Sequence, residues 1–353
     1  MTSWVERLGL RFPIVQAPMA GGPDTPALAA AVSQAGGLGS LGCAYLTAEN
    51  IEAVAAEVRA RTDRPLGLNL FVRADEPIDA AAVVRVSPVL DDVRRELGLG
   101  PPPPSARPSD SFSAQLAAVI RARPAVFSFT FGMPSREDLD AARAAGIFTV
   151  GTATTLAEAE VLERLGVDAI CAQGAEAGGH RGTFIGRFED ALVGTMVLVR
   201  QIVRRVRVPV LAAGGIMDGA GIRAALALGA AGVQLGTAFL DCPEAGTAKA
   251  HRRALSSEVA RVTSITRAFS GRPARGIRNR FVELFERVEP AAFPQQQQMT
   301  ADIRAAAANA ERIDLMQMWA GQGASLIRSM PAADLVETLA SEAGLADLAR
   351  SSM

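Results

Sequence analysis

The feature that most limits the fold is a repeated unit: a short apolar run ending in glycine or a polar amide, then a stretch with helical spacing. Pro13–Met19 opens the series and gives way to Gly21-Gly22. Asp24 or Thr25 can cap the helix that follows, with Pro26 in its first turn and Gly36-Gly37 to stop it. Leu38–Cys43 reads as a second strand, glycine-rich because neighbours press close. Thr47–Arg61 reads as its helix and Leu66–Phe71 as a third strand. After an interruption the rhythm resumes, with strands at Ala125–Phe129, Ile147–Gly151, Asp168–Gln173, Pro209–Ala213 and Gly232–Gly236. The spacing between them predicts helices over Arg136–Ala145, Leu156–Leu165, about Leu192–Val206 and Gly221–Leu228.

Strands joined by crossover helices run parallel, and eight such units predict a closed TIM (β/α)8 barrel. A doubly wound open sheet is the competing arrangement. It is disfavoured because no G-x-G-x-x-G follows the first strand and because glycine-rich strand ends recur around the whole set. A barrel takes roughly 250 residues, and the chain has 353. The surplus falls in two places. Val72–Arg123 holds a charged helical segment and the stiff connection Gly100-Pro101-Pro102-Pro103-Pro104. Beyond Asp241 the alternation gives way to alanine-rich helical segments, with Pro294–Gln298 as a polar tract that reads as a solvated loop or helix start. The expected organisation is a barrel from 1–71 and 124–241. A smaller, mainly helical lobe from 72–123 and 242–353 then packs over the barrel mouth.

Composition excludes several functions. A formal charge of -1 with two Trp and one Tyr lacks the basic face and stacking aromatics that nucleic acid demands. Cys43, Cys171 and Cys242 are widely spaced and form no C-x-x-C pattern, so neither a disulfide framework nor a metal site is expected, and a reducing cytoplasm fits. Cys171 reads as a buried strand residue. The first residues show no basic region followed by an apolar one. The uncharged stretch Thr25–Ala48 is broken by glycine, serine and glutamine, which suits a buried helix and strand and not a membrane span.

Sites in this fold lie at the C-terminal ends of the strands, and the loops after strands seven and eight commonly hold a phosphate. Here those loops are Ala213-Gly214-Gly215-Ile216 and Gln234-Leu235-Gly236-Thr237, whose glycine N–H groups and Thr237 hydroxyl can donate to one. Tight turns would use the same glycines. Gln16, Asn69 and Gln173 stand at other strand ends, and a carboxamide offers both donor and acceptor to the mixed edge of an isoalloxazine or a nucleobase. Each alone could be a satisfied structural amide; together, opposite a phosphate site, they favour flavin mononucleotide (FMN). His180, in Glu176-Ala177-Gly178-Gly179-His180-Arg181-Gly182, lies in a loop walled by backbone after strand six. It is the candidate acid, base or electrostatic partner. His251, beside Arg252-Arg253, reads as solvated surface.

Gln16-Ala17-Pro18-Met19-Ala20-Gly21-Gly22, Gly67–Phe71, Ala172–Gly182, Ala213–Ile216 and Gln234–Thr237 together resemble nitronate monooxygenase, formerly 2-nitropropane dioxygenase. The likeness extends to Thr266–Arg272 and Trp319–Gly323. It implies FMN contacts at Gln16, Ala17, Pro18, Met19, Asn69, Gln173, Gly178, Gly179, Gly214, Gly215, Gln234, Leu235, Gly236 and Thr237. It also implies that His180 is the catalytic base or positions an anionic substrate. The implied reaction is oxidation of alkyl nitronates or propionate 3-nitronate by O2 to a carbonyl compound and nitrite. The alternative is an FMN-dependent NAD(P)H oxidoreductase acting on a quinone or enoyl thioester, since such enzymes share the His180-type loop. Expected partners are a nitronate or nitroalkane and O2, with no nucleic acid and no membrane; a homo-oligomer is compatible. Members of the family line the pocket with several tyrosines where this chain has only Tyr45, which leaves Trp319, Phe269 and Phe131 as candidate walls.

Overall fold

The computed structural model describes residues 3–72, 79–102 and 110–345. A one-turn helix, α1 (Trp4–Arg7), precedes β1 (Ile14–Gln16). The alternation follows: α2 (Pro26–Gln34), β2 (Gly39–Gly42), α3 (Ala48–Arg59), β3 (Leu66–Phe71), α4 (Ala80–Glu96), α5 (Phe112–Ala122), β4 (Val126–Thr130) and α6 (Arg136–Ala144). It continues through β5 (Phe148–Ala153), α7 (Leu156–Leu165), β6 (Ala169–Gln173), the short β7 (Gly179–His180), α8 (Thr195–Val203), β8 (Val210–Ala213), α9 (Gly219–Ala227) and β9 (Gly232–Leu235). Beyond these lie α10 (Lys249–Leu255), β10 (Thr263–Thr266), β11 (Ala274–Ile277), α11 (Arg280–Leu284), α12 (Gln295–Met299), α13 (Ala301–Asn309) and α14 (Ala332–Glu342).

Eight strands pair in parallel in the order β1-β9-β8-β6-β5-β4-β3-β2. Closure between β1 and β2 rests on a single bridge, Val15 to Leu38, where Leu38 N–H donates to Ile14 O and Gln16 N–H to Leu38 O, both at 2.9 Å. The expected TIM barrel is present. All six residues of β3 are buried, as a strand covered on both faces requires. Thr25 caps α2 by accepting from Leu28 N–H, with Pro26 at its first position. A Cβ on Gly39 would fall 1.9 Å from Ala29 O, so α2 lies directly on β2. At the bottom of the barrel Trp4 is buried with Val15, Val126 and Cys171, and its indole N–H donates to Ala231 O at 2.9 Å. Burial pushes the Cys171 thiol up to about 12, so it is an inert core residue.

Packing divides the chain differently from the expected boundaries at two places. The insertion contributes α4 alone to the lobe: Val86, Leu90 and Val93 join Phe269, Phe281, Ile303 and Leu315 in a second core. Arg94 fastens it, donating to Asp302 at 2.8 Å. The second insertion helix, α5, instead buries Leu116 and Val119 beside Ile51 and Val58 of α3 in the barrel core. Likewise α14, after the lobe, returns to bury Leu335, Val336 and Leu339 in that core, against α2 and α9. It supplies the outer helix that β9 lacks in sequence. Of the polyproline connection, Pro103 and Pro104 lie outside the described residues, as do residues 346–353 of the tail.

The lobe also holds a three-stranded antiparallel sheet, β10-β11-β7, that the helical reading missed. Its members are four, four and two residues long, and β7 pairs with a strand more than ninety residues away, Ala274 opposite His180. Such short, distant pairing leaves no alternation to read. Among the described residues no helix is long and apolar enough to cross a membrane.

Candidate active site

The C-terminal ends of the barrel strands and the underside of the lobe enclose a cavity of about 570 Å³, within the range of small-molecule and cofactor sites. Every predicted cofactor residue except Gln16 lines it, and so does His180. Gln16 is fully buried in the barrel wall, accepting from Ser40 N–H at 2.9 Å and donating to Ala17 O. It is the satisfied structural amide. Asn69 faces the cavity and donates to Ser128 Oγ at 2.9 Å. Gln173 donates to His180 O at 3.0 Å and accepts from Gly182 N–H at 2.8 Å, so its amide holds the histidine segment against β6. Two acids brace the surrounding loops. Glu176 accepts from Thr195 N–H and Oγ and starts α8 at Thr195, three residues later than expected. Asp24 accepts from Met19 and Gly42 N–H, tying the β1 loop to the end of β2, and its burial raises its pKa to about 6.

The opposite wall is bare main chain. Gly214 and Gly215 take φ of 115° and 72°, backbone shapes that glycine adopts without strain. A Cβ at Gly236 would meet only Ala17 Cβ at 3.5 Å and Met19 Sδ at 3.9 Å, so a side chain there would stand in the cavity itself. Gly178 is closely backed by Ala320 and Gly321, whose N–H donates to Thr237 Oγ at 2.9 Å. Amides on one side and exposed backbone donors on the other suit a flat heterocycle carrying a phosphate.

His180 is not in an open loop. It ends β7, with its ring among Phe71, Phe131, Phe293 and Trp319 at centroid distances of 5.6 to 6.2 Å. Of the three expected apolar walls, Phe131 and Trp319 line the cavity, while Phe269 stacks on Phe281 in the lobe core. His180 Nε2 lies 2.8 Å from Ser270 Oγ, whose own hydroxyl donates to Arg272 O at 3.1 Å. The imidazole therefore donates through Nε2–H and keeps Nδ1 as its unprotonated nitrogen. Burial first, then the charges of Arg272 and Arg304, push its pKa down to about 3. At neutral pH it is an uncharged base, not a cation that attracts anions.

The chain matches the nitronate monooxygenase family over residues 5–342. It belongs to that family. The nitronate monooxygenase of Paraburkholderia phytofirmans is 45% identical over 95% of this chain and 93% of that protein. The Pseudomonas aeruginosa enzyme of the same name is 44% identical over 95% and 97%. Nitroalkane oxidase from Streptomyces ansochromogenes superposes with a TM-score of 0.90 at 43% identity, covering 97% of both chains. FabK from Thermotoga maritima superposes at 0.75 with 28% identity, covering 100% of both. The chain is thus an enzyme, an oxidoreductase of the nitronate monooxygenase family.

The lobe side of the cavity was not legible beforehand. Thr247, His251, Gln297, Arg304 and Gln317 all line it. The expectation of a solvated His251 is corrected: it is only 6% exposed, and burial with the Arg252 charge lowers its pKa to about 4. Arg252 turns inward to the carbonyls of Cys242, Ala245 and Thr247 and packs the segment down. The polar tract Pro294–Gln298 is a helix start, as one of its two readings had it, with one residue that is not solvated. Gln296 is fully buried in α12, its amide paired with Ala291 N–H and Ala268 O. Among the described residues no three His, Cys, Asp or Glu side chains are grouped to hold a metal.

Proposed function

We propose that this enzyme binds FMN in the cavity and oxidises alkyl nitronates, or propionate 3-nitronate, with O2. Overall, two nitronates and one O2 give two carbonyl compounds and two nitrite ions. The observation that carries the reading is a neutral, desolvated His180 facing the same cavity as the glycine loops of β8 and β9. Asn69, Gln173 and Gln234 would meet the polar edge of the ring system, and Gly214-Gly215 with Gly236-Thr237 would take the phosphate. Bound there, FMN supplies reversible electron uptake from the substrate carbon and delivery to O2.

The side chains then have separate tasks. Ser270 Oγ accepts a hydrogen bond from Nε2–H and fixes the tautomer, which leaves His180 Nδ1 able to take the α-proton of a neutral nitroalkane. A preformed nitronate has no such proton to lose. The four aromatic rings around the imidazole exclude water and keep it uncharged. Cys43, Cys171 and Cys242 are buried free thiols, which suits a reducing cytoplasm.

The test is anaerobic mixing of the yellow holoenzyme with ethyl nitronate and, separately, with NADH, with nitrite assayed after air is admitted. Bleaching by the nitronate alone, followed by nitrite release, is expected. Bleaching by NADH with no response to the nitronate overturns the reading and moves the substrate to a quinone or enoyl thioester.

A further inference from the structure

Among the described residues, the lobe wall contains a cation that no carboxylate pairs. α12 and α13 turn Gln297, Ala301, Arg304, Ala305 and Ala308 toward the cavity, positions that share one helical face. The guanidinium of Arg304 donates from Nε to Thr300 Oγ at 3.2 Å, from Nη1 to Gln317 Oε1 at 2.9 Å and from Nη2 to Gln297 O at 2.9 Å. All three partners are neutral. Of the two acidic groups whose charge it feels, Tyr45 is a phenol on the cavity wall and Asp302 is held by Arg94 at 2.8 Å. Three of five N–H groups are used, and the positive charge is offset by no ion pair among the described residues. A charge so placed is costly unless a ligand supplies its counterpart.

A second observation concerns the same wall. Thr247 and His251, 7% and 6% exposed, line the cavity, and among the described residues Thr247 Oγ, His251 Nε2 and the buried Gln297 Oε1 have no hydrogen-bond partner. Buried polar atoms of native proteins are normally paired, so this chamber is built for a polar occupant. The three alanines leave the room for it. A nitronate ends in two oxygens in one plane, as a carboxylate does, and that terminus matches the planar fork of an arginine.

Taking the nitronate reading as its basis, we propose that Arg304 is the anion anchor of the substrate chamber. Its free N–H groups grip the planar two-oxygen end of the substrate, either the nitronate itself or a carboxylate on the same molecule. His180 is neutral, so the attraction for an anion comes from the lobe and the base from the barrel. Selectivity for nitronate over neutral nitroalkane is then a property of Arg304.

Arg304→Gln and Arg304→Lys test this in the purified holoenzyme, with flavin content as the check on folding. Calorimetric titration with acetate, an unreactive planar anion, reads the anchor without turnover. Affinity is expected to fall at least tenfold in Arg304→Gln and at least threefold in Arg304→Lys, which keeps the charge but loses the fork. The KM should rise at least tenfold in Arg304→Gln for ethyl nitronate if the nitronate end is gripped, or only for a carboxylate-bearing nitronate if the carboxylate is, with the saturating rate within about threefold of the parent. Acetate binding within twofold of the parent in a flavin-replete Arg304→Gln overturns the anchor. If that variant does not fold, parental affinity in Arg304→Lys does the same. Arg304-dependent acetate binding by a parent that releases no nitrite from any nitronate leaves the anchor standing and removes the reaction assigned above. Equal losses with ethyl nitronate and with a carboxylate-bearing nitronate show that the nitronate is gripped. A loss confined to the second shows that the carboxylate is.

Discussion

Gly178→Ala should loosen the cofactor far more than it destabilises the fold. A Cβ there would lie 2.5 Å from Gly321 N, 2.6 Å from Ala320 C and 3.0 Å from Ala320 Cα, all backbone atoms, whereas ordinary contact begins at 3.4 Å. The segment must withdraw by about 0.9 Å, since main chain cannot rotate aside as a side chain does. That displacement breaks the 2.9 Å bond from Gly321 N–H to Thr237 Oγ, at the end of the proposed phosphate wall. Overpacking of this kind costs about 1–3 kcal/mol, and the lost hydrogen bond about 1 kcal/mol more. The control is Gly146→Ala. Gly146 has φ of 77° with nothing within 4 Å of an added Cβ, so the alanine variant carries about 1–2 kcal/mol of backbone strain away from the cavity and no clash. Both proteins should melt several degrees below the parent, and only Gly178→Ala should lose flavin on dialysis, by about tenfold or more. Equal flavin retention in the two variants would refute the placement of the cofactor against this wall.

His180→Asn should keep its flavin and lose about a hundredfold or more of its rate on neutral nitroethane, but far less on ethyl nitronate; steady-state assays with both substrates check it, and equal losses sink the base. Ser270→Ala removes the partner of His180 Nε2 and should act in the same direction, again on the neutral substrate, with flavin content unchanged. Acid should unfold the protein early. Both histidines are held below their ordinary 6.5, so between about pH 4 and 6 the unfolded chain binds more of their protons and stability rises with pH. Asp24, raised from 3.8 to about 6, opposes this in the same window, but one group against two leaves a net rise. Urea midpoints at pH 4.5 and 6.5 measure it, and a flat or falling trend contradicts the burial of His251. Arg94→Met should cost about 3–5 kcal/mol, because Arg94 and Asp302 side chains are only 5% and 17% exposed; a urea midpoint near the parent's would show the pair to be dispensable.

The barrel was legible because its strands are covered on both faces and so appear as unbroken apolar runs, as in Leu66–Phe71. The strand-end wall of the cavity was legible for a related reason: barrel geometry fixes where strand ends go, so Gly214, Gly236 and Asn69 could be placed on it without knowing any contact. Gln16 shows the limit of that logic. It ends a strand as Asn69 does, but its amide is consumed by Ser40 and Ala17. The lobe gave weaker signals. His251 sits beside two arginines, which reads as surface, yet Arg252 spends its guanidinium on three backbone carbonyls and buries its neighbour. The helix α14 could be read as helix but not as part of the barrel, since its partners α2 and α9 lie far back in the chain.

These differences have one physical origin, and it bears on which substrate the enzyme takes. Strand-end residues are positioned by local pairing with their sequence neighbours, whereas the residues facing them are carried in by the lobe from positions 247 to 317. The local set holds amides, bare loops and a histidine. The imported set brings Arg304, His251 and Gln297 to the cavity. Sequence left a lone imidazole as either the base or the group that positions an anionic substrate. Burial first, then the Arg272 and Arg304 charges, hold the free imidazole neutral, so it does not supply a standing positive charge. The anion-attracting role then passes to an arginine, whose charge does not vary between pH 5 and 9. Any pH dependence of nitronate affinity in that range should therefore be slight, while removal of a proton from a neutral nitroalkane still depends on His180.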